Sequence, residues 1–397
     1  MAADAAKRVG DDSPSQSLLY NPEVRGYVYQ ALTVLIIVVV IYTAVTNAAE
    51  NLARANMTAG FDFLGSRAGF DIAQSLIAYS SDSTYLRALL VGLVNTLVVA
   101  FFGIITASII GLLVGVGRLS QNWLIARLCT VYVEVFRNIP PLLVIFFWYK
   151  LVLDILPGVK QSFELPLSVY LNNRGVFMPA PIFGEGSSLI LVALVLGIVL
   201  AFGFSRWATA KQMATGKQYP TIGVGIALIV GLPVLVFLAL GAPLSFDSPV
   251  LGKFNLNGGM VVGPEFLSLY LALSFYTASF IAEIVRAGIR GVAKGQSEAA
   301  HALGIRPGLT TRLVVLPQAL RIIIPPLTSQ YLNLTKNSSL AIAVGYADLV
   351  AVGGTILNQS GHSIEIIAIW MLMYVSISLI TSLFMNWFNA KMALVER

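Results

Sequence analysis

The chain has 397 residues, of which 57% are hydrophobic and 11% charged, and its mean hydropathy is +0.81. A soluble domain carries about 25% charged residues, so the composition excludes a solvated globule and reads as a multi-span membrane protein. The 25 basic and 19 acidic residues leave +6. In such a chain that excess is read by position, as the mark of cytoplasmic loops, rather than as a nucleic-acid patch.

A hydrocarbon core of about 30 Å needs about 20 apolar residues in a helix. Eight stretches qualify, near residues 27–45, 86–117, 124–155, 187–204, 221–240, 265–286, 320–335 and 364–388. The first is too long for the apolar core of a cleaved signal peptide, and Asp11, Asp12 and Glu23 precede it, so it reads as a retained helix. The polar leader before it, with Lys7 and Arg8, is expected to be loose. In the third and seventh stretches Pro140-Pro141 and Pro325-Pro326 are expected to break the helix.

Charge sets the orientation. Between stretches 4 and 5 lie Arg206, Lys211 and Lys217 with no acid, and from Arg286 to Arg321 six basic residues face Glu298 alone. Between stretches 1 and 2, by contrast, Glu50, Asp62, Asp71 and Asp82 outnumber Arg54 and Arg67. Eight spans with both termini cytoplasmic satisfy this pattern. Two long loops, about 48–85 and 156–186, then face outward.

Stretch 2 carries Gly103, Ala107, Gly111 and Gly115 at a spacing of four. Such a small-residue face admits a close helix, either within the chain or across a seam with another subunit. Stretch 3 holds Glu134 and Arg137, three apart and able to pair; the pair either braces the inner surface or serves a substrate. Beyond it Pro140-Pro141 opens a new helix N-terminus, which can receive a carboxylate. Glu283 and Arg286 repeat the spacing at the inner end of stretch 6 and read as a structural brace. Gln330, Asn333, Lys336, Asn337 and Ser338 make the outer end of stretch 7 polar. Lys336 either snorkels or helps form a mouth. With Asn95, Tyr276 and Thr277, these residues and the Glu134/Arg137 pair form a candidate substrate pathway.

The segment 291–321 is far longer than the roughly 2–8 residues that a turn between helices needs. Ser297 to Leu303 reads as a short helix, Gly304 as its left-handed terminator, and Arg306-Pro307-Gly308 as a break. Thr310 to Leu316 then rebuilds a helix that runs into Pro317. A helix–glycine–helix elbow with an apolar face suits docking to a soluble partner; the alternative is an elbow lying on lipid.

Glu298-Ala299-Ala300, Gly304 and Leu316-Pro317 resemble the EAA-loop signature of permease subunits of ATP-binding-cassette importers. The run AEIVRAGI at 282–289, Gly295-Gln296, KNSSLA at 336–341 and YVEVFRNIP at 132–140 resemble the histidine/glutamine/arginine branch of that family. The likeness spans about 200 residues, from stretch 2 through most of stretch 3 and from Glu265 to the C-terminus. Members of that branch commonly have five spans. This chain adds a first helix and a hairpin, and so resembles the longer permease of general L-amino-acid or glutamate/glutamine/aspartate/asparagine uptake systems.

The resemblance implies an all-α integral membrane fold of about eight helices, a type I importer permease core with an extra N-terminal helix and an inserted helical hairpin. Its divisions would be a cytoplasmic segment at 1–26, the extra helix and external loop at 27–85, and the first part of the core at 86–155. The external loop and inserted hairpin would occupy 156–263, and the second part of the core, with the coupling loop 291–321, would occupy 264–397. It also implies ATPase coupling through Glu298, Ala299, Ala300, Gly304, Leu316 and Pro317. The implied partners are a second, related permease in a heterodimer, two copies of an ATPase, a periplasmic amino-acid-binding protein and membrane lipid, with no nucleic acid. No G-x-x-x-x-G-K-[ST] run occurs, so the chain is not itself an ATPase; ATP and Mg belong on the partner, with no cofactor in this chain. The expected location is a bacterial inner membrane. An ion- or proton-coupled carrier is the rival reading, and it would leave the cytoplasmic elbow unexplained.

Overall fold

The computed structural model describes residues 22–54, 60–253 and 255–392. Most of the expected leader, with Lys7 and Arg8, lies outside the described residues. Among them, six continuous helices are long and apolar enough to cross a membrane, and two bent pairs raise the number to eight if each pair is one crossing.

The first helix, α1 (Pro22–Arg54), turns apolar side chains outward from Tyr27 to Val45, as a lipid-covered span must. Next, α2 (Tyr85–Gly117) begins at Thr84, whose side chain accepts the Arg87 N–H. Its small-residue face is buried against α8 (Pro264–Arg290). A Cβ at Gly111 would stand 2.6 Å from the Ile281 Cβ, and one at Gly115 only 2.7 Å from the Ala282 carbonyl oxygen. The stripe therefore serves packing within the chain. The helices approach because α2 presents nothing larger than hydrogen or methyl to Ile281, Ala282 and Val285 of α8.

The third stretch is two helices, α3 (Trp123–Asn138) and α4 (Pro141–Ile155), turned 111° from one another. Ile139 is extended, as a residue before proline must be, and Pro141 occupies the first turn of α4, where its missing N–H costs nothing. An aromatic cluster fills the corner: Trp148 of α4 lies 5.1 Å from Phe275 of α8, and the Tyr132 hydroxyl of α3 donates to the Phe275 carbonyl at 2.6 Å.

The loop after α4 is not all-helical. Strands β1 (Phe163–Leu165), β2 (Val169–Asn172) and β3 (Gly175–Met178) pair antiparallel, and β8 (Met260–Val262) completes the sheet with Val176 opposite Val262. From it a ribbon of β4 (Ala180–Phe183) and β5 (Leu244–Asp247) leads to the inserted hairpin, with β6 (Val250–Leu251) and β7 (Leu256–Asn257) as a small side ladder. The hairpin runs through α5 (Ser188–Thr215), then α6 (Thr221–Ile226) and α7 (Leu232–Ala239), which a π turn at Ala227–Gly231 joins. These strands are short and rich in Val, Phe and Met, and local alternation in them was masked by the turn residues around them.

The elbow contains α9 (Lys294–Ala302). Gly304 ends it at φ +72°, with the Gly304 N–H bonded to the His301 carbonyl and the Ile305 N–H to that of Ala300. The second arm differs from expectation. Helical structure runs on from α10 (Pro307–Thr310) through a π turn at Thr311–Val315 into α11 (Leu316–Asn337), so Pro317 opens that helix rather than ending the elbow. The wider turn, closed by the Leu316 N–H on the Thr311 carbonyl, makes room for the proline ring.

Pro325-Pro326 likewise does not break α11. Both rings are exposed, while Ile323 and Ile324 beside them are buried in the core, and that packing outweighs the lost backbone bonds. The break comes later, at the 3₁₀ turn Ser338–Val344 and left-handed Gly345, before α12 (Leu349–Ser360), which is bent 53° away. The chain closes with α13 (Ser363–Met392).

Candidate functional site: a polar cavity and a cytoplasmic elbow

Midway along α8, Tyr276, Thr277 and Phe280 face Gln330, Asn333 and Asn337 of α11 across a cavity of about 250 Å³, and Pro141 at the start of α4 closes a third side. The spacing explains the convergence: Gln330, Asn333 and Asn337 fall at i, i+3 and i+7, one face of a helix. No residue of the lining carries a charge. The first turn of α4 meets the cavity, and its N-cap, Pro140, offers no side-chain hydrogen bond. Pro140 and Pro141 bring no N–H and the Leu143 and Val144 N–H groups bond the Pro140 carbonyl, so this helix start favours an anion through its dipole and the Leu142 N–H rather than a row of free donors.

Five expected pathway residues thus meet in one place, and five do not. Asn95 is buried toward the outer side, its amide donating to the Gln74 and Ala347 carbonyls at 2.9 Å each, beside a separate cavity of about 770 Å³. Ser338 is buried and bonds the Thr335 carbonyl, and Lys336 is exposed. Glu134 and Arg137 lie one layer further in along α8 and do not pair with each other. Glu134 stands 3.7 Å from Arg118, and Arg137 stands 3.9 Å from Glu283, with its guanidinium 5.6 Å from the centre of the Phe280 ring.

Glu283 and Arg286 do pair, through Arg286 Nε at 3.2 Å and its Nη2. Glu283 also accepts from Arg118, a residue that sequence reasoning missed. Its signal was present: Arg118 follows Gly115 at i+3, on the face that the small-residue stripe turns to α8. Phe280 was missed for a different reason, since an aromatic in a span carries no mark of its own.

On the elbow, Glu298 and Ala299 are exposed and Leu303 projects with 80% of its surface free; Leu309, Leu313 and Leu316 are also exposed. Ala300 is turned inward and buried. Close approach to a partner is therefore open to Ala299 and not to Ala300, which packs within the elbow. Gln318 of α11 donates to Gln296 of α9 at 3.2 Å and ties the two arms together. Among the described residues no three His, Cys, Asp or Glu side chains stand together as metal ligands.

Comparison with known proteins adds to this geometry. The family model described as "Binding-protein-dependent transport system inner membrane component" matches residues 107–394. The general L-amino acid transport system permease protein AapQ of Rhizobium johnstonii is 65% identical over 396 residues, covering 100% of this chain and 99% of that protein. The putative amino-acid ABC transporter permease protein YhdX of Escherichia coli is 49% identical, over 95% of this chain and 96% of the relative. The glutamate/glutamine/aspartate/asparagine transport system permease protein BztB of Rhodobacter capsulatus is 43% identical, over 96% of each.

Proposed function

The chain belongs to the family of binding-protein-dependent transport system inner membrane components, and from that premise we propose how its cavity and elbow divide the work. It is a multi-pass inner-membrane permease subunit of an ATP-driven amino-acid importer, of a kind that has no ATPase site of its own. The carrier alternative has no footing here: a coupling carboxylate belongs in the pathway, and the cavity lining is uncharged.

The substrate is a polar, acidic or broad set of L-amino acids, in keeping with the names of the relatives. In this reading the cavity handles the part that all amino acids share. The α-carboxylate meets the N-terminal turn of α4 beside Pro141. The ammonium is received by the amide oxygens of Gln330, Asn333 and Asn337, and Tyr276 and Thr277 add hydroxyls. An uncharged lining holds a zwitterion without binding it so tightly that release stalls. The substrate moves from periplasm to cytoplasm by alternating access.

The elbow docks on a separate ATPase. Glu298 pairs with a basic or helix-terminal group there, Ala299 permits close approach, and Leu303 supplies an apolar anchor. Gly304 holds the angle between the arms, and Leu316-Pro317 begins the helix that carries the motion inward. One chain supplies one elbow and the ATPases work as a pair, so a second, related permease completes a heterodimer. Two ATPase copies carry ATP and Mg, a periplasmic amino-acid-binding protein delivers cargo outside, lipid surrounds the spans, and both termini lie in the cytoplasm.

The observation that carries the reading is that one helix, α8, lines a polar cavity at its middle and leads into an exposed, glycine-terminated elbow at its inner end. The test is reconstitution with the related permease, ATPase and binding protein, reading amino-acid uptake and ATP hydrolysis. ATP-dependent uptake that Glu298→Arg abolishes supports it; uptake on an ion gradient without the ATPase overturns it.

A further inference from the structure

From the cavity toward the elbow, α8 presents Thr277, Phe280, Glu283 and Arg286 at successive steps of three, a row that winds part-way round the helix. The first two line the cavity, and the last two lie between it and the elbow. At this level five charged side chains from three helices meet: Arg118 after the end of α2, Glu134 and Arg137 of α3, and Glu283 and Arg286 of α8. Arg118 is the node. Its side chain is only 8% exposed, and it reaches Glu283 on one side and Glu134, at 3.7 Å, on the other.

The three helices are held very differently. Backbone-close glycine contacts lock α2 to α8, and Gly288 of α8, where a Cβ would stand 2.3 Å from Ile323, sets α11 tightly against the same helix near the elbow. Apolar packing holds α3 less deeply: Val133 is its one fully buried residue, with Phe136 half-buried against the core and Cys129 set beside Gly117 of α2. The polar ties of α3 to the α2–α8 frame are the Tyr132 hydroxyl on the Phe275 carbonyl, near the corner, the Arg137 guanidinium over the Phe280 ring, and the two longer ion pairs to Arg118 and Glu283. Yet α3 leads directly to Pro140-Pro141, the third wall of the cavity.

We propose that Arg118 is a positioning residue for transport: it carries α3, and with it the Pro141 wall of the cavity, along with the α2–α8 frame that moves with the elbow. Without it, the elbow and α8 shift while α3 lags, and ATP hydrolysis proceeds without moving cargo. Charged pairs suit this role because separating them in a low-dielectric setting is costly and each partner, once alone, must find another. The inference rests on the cavity reading above.

The experiment uses the full complex, with permease pair, ATPase and binding protein, in liposomes. It measures amino acids moved per ATP hydrolysed, ATPase rate and thermal midpoint for Arg118→Gln, Arg118→Lys, Glu134→Gln and the Arg118→Gln/Glu134→Gln double variant. Arg118→Gln is expected to keep its ATPase rate within about twofold while transport per ATP falls on the order of tenfold, between the scales of an exposed and a buried charge pair. Arg118→Lys recovers part of the loss, and the double variant is no worse than Arg118→Gln alone because both changes cut the same link. Additive losses, or ATPase and uptake falling together in every variant, overturn the proposal. If Arg118→Gln fails to assemble, Arg118→Lys and Glu134→Gln decide, and wild-type transport per ATP in both counts against it. Asn333→Ala runs in parallel. If it leaves uptake intact, the cavity reading is at fault; if it lowers uptake while the Arg118 variants stay coupled, this inference alone fails.

Discussion

The α2–α8 pair and the inserted hairpin are built by the same means and end in different situations. Both use small residues to bring helices into backbone contact: Gly115 against the Ala282 carbonyl in one, Gly197 against the Leu228 carbonyl in the other. Among the described residues the α2–α8 pair is the most heavily packed, and it sits in a shared core with α4 and α11. The extensive contacts of α5 are with its own hairpin partners, α6, α7 and the π turn between them. The hairpin joins the rest through the β4–β5 ribbon, closed where the Gly184 N–H meets the Pro243 carbonyl at 3.0 Å. Entry and exit at adjacent points let 60-odd residues be inserted without disturbing what surrounds them, because no core contact is interrupted.

That contrast can be broken in steps, from the largest effect to the smallest. Gly115→Leu drives a side chain into the α8 backbone, which cannot yield, and should cost about 3 kcal/mol; the expected result is loss of assembled complex on size-exclusion chromatography. Gly197→Leu makes an equally close clash, yet it should open the hairpin and leave the core resistant to protease. Equal damage from both would mean that the hairpin is part of the core after all. Glu298→Arg should lower ATPase co-purification and uptake at least about tenfold, without shifting the thermal midpoint, because Glu298 lies on the exposed face of α9. Asn333→Ala removes one hydrogen-bonding group from the cavity and should reduce uptake by roughly three- to tenfold. Pro325→Ala should change stability by less than about 1 kcal/mol, since the ring is exposed and the helix is already continuous around it.

Several parts of this architecture were legible from residue order alone. Six of the eight apolar stretches appear as continuous membrane-length helices, the four-residue stripe of small residues lies in a helix contact, and Gly304 adopts the left-handed turn expected of it. The prolines were harder. Two adjacent pairs look alike in sequence, but Pro140-Pro141 turns the chain by 111° while Pro325-Pro326 passes through an unbroken helix. Local preference is similar in both places. What differs is that Ile323 and Ile324 are packed into the core beside the second pair, whereas an aromatic cluster rewards a corner at the first.

Charge pairing was misread for a related reason. A three-residue spacing allows Glu134 and Arg137 to meet, but it says nothing about better partners arriving from other helices. Arg118 and Glu283 arrived, and each took one member of the supposed pair. Ala299 and Ala300 likewise read as equivalent until the fold turned one outward and one inward.

The membrane character, the glycine-bearing helix face and the elbow motif were determined by the sequence itself, because hydropathy, residue size and backbone handedness act over a few neighbouring residues. The gathering of Tyr276, Thr277, Gln330, Asn333 and Asn337 around one cavity, the sheet that closes the base of the insertion, and the bridging of three helices by Arg118 were decided only by tertiary structure. Each depends on groups far apart in the chain, and their contact energies exist only once the helices have packed.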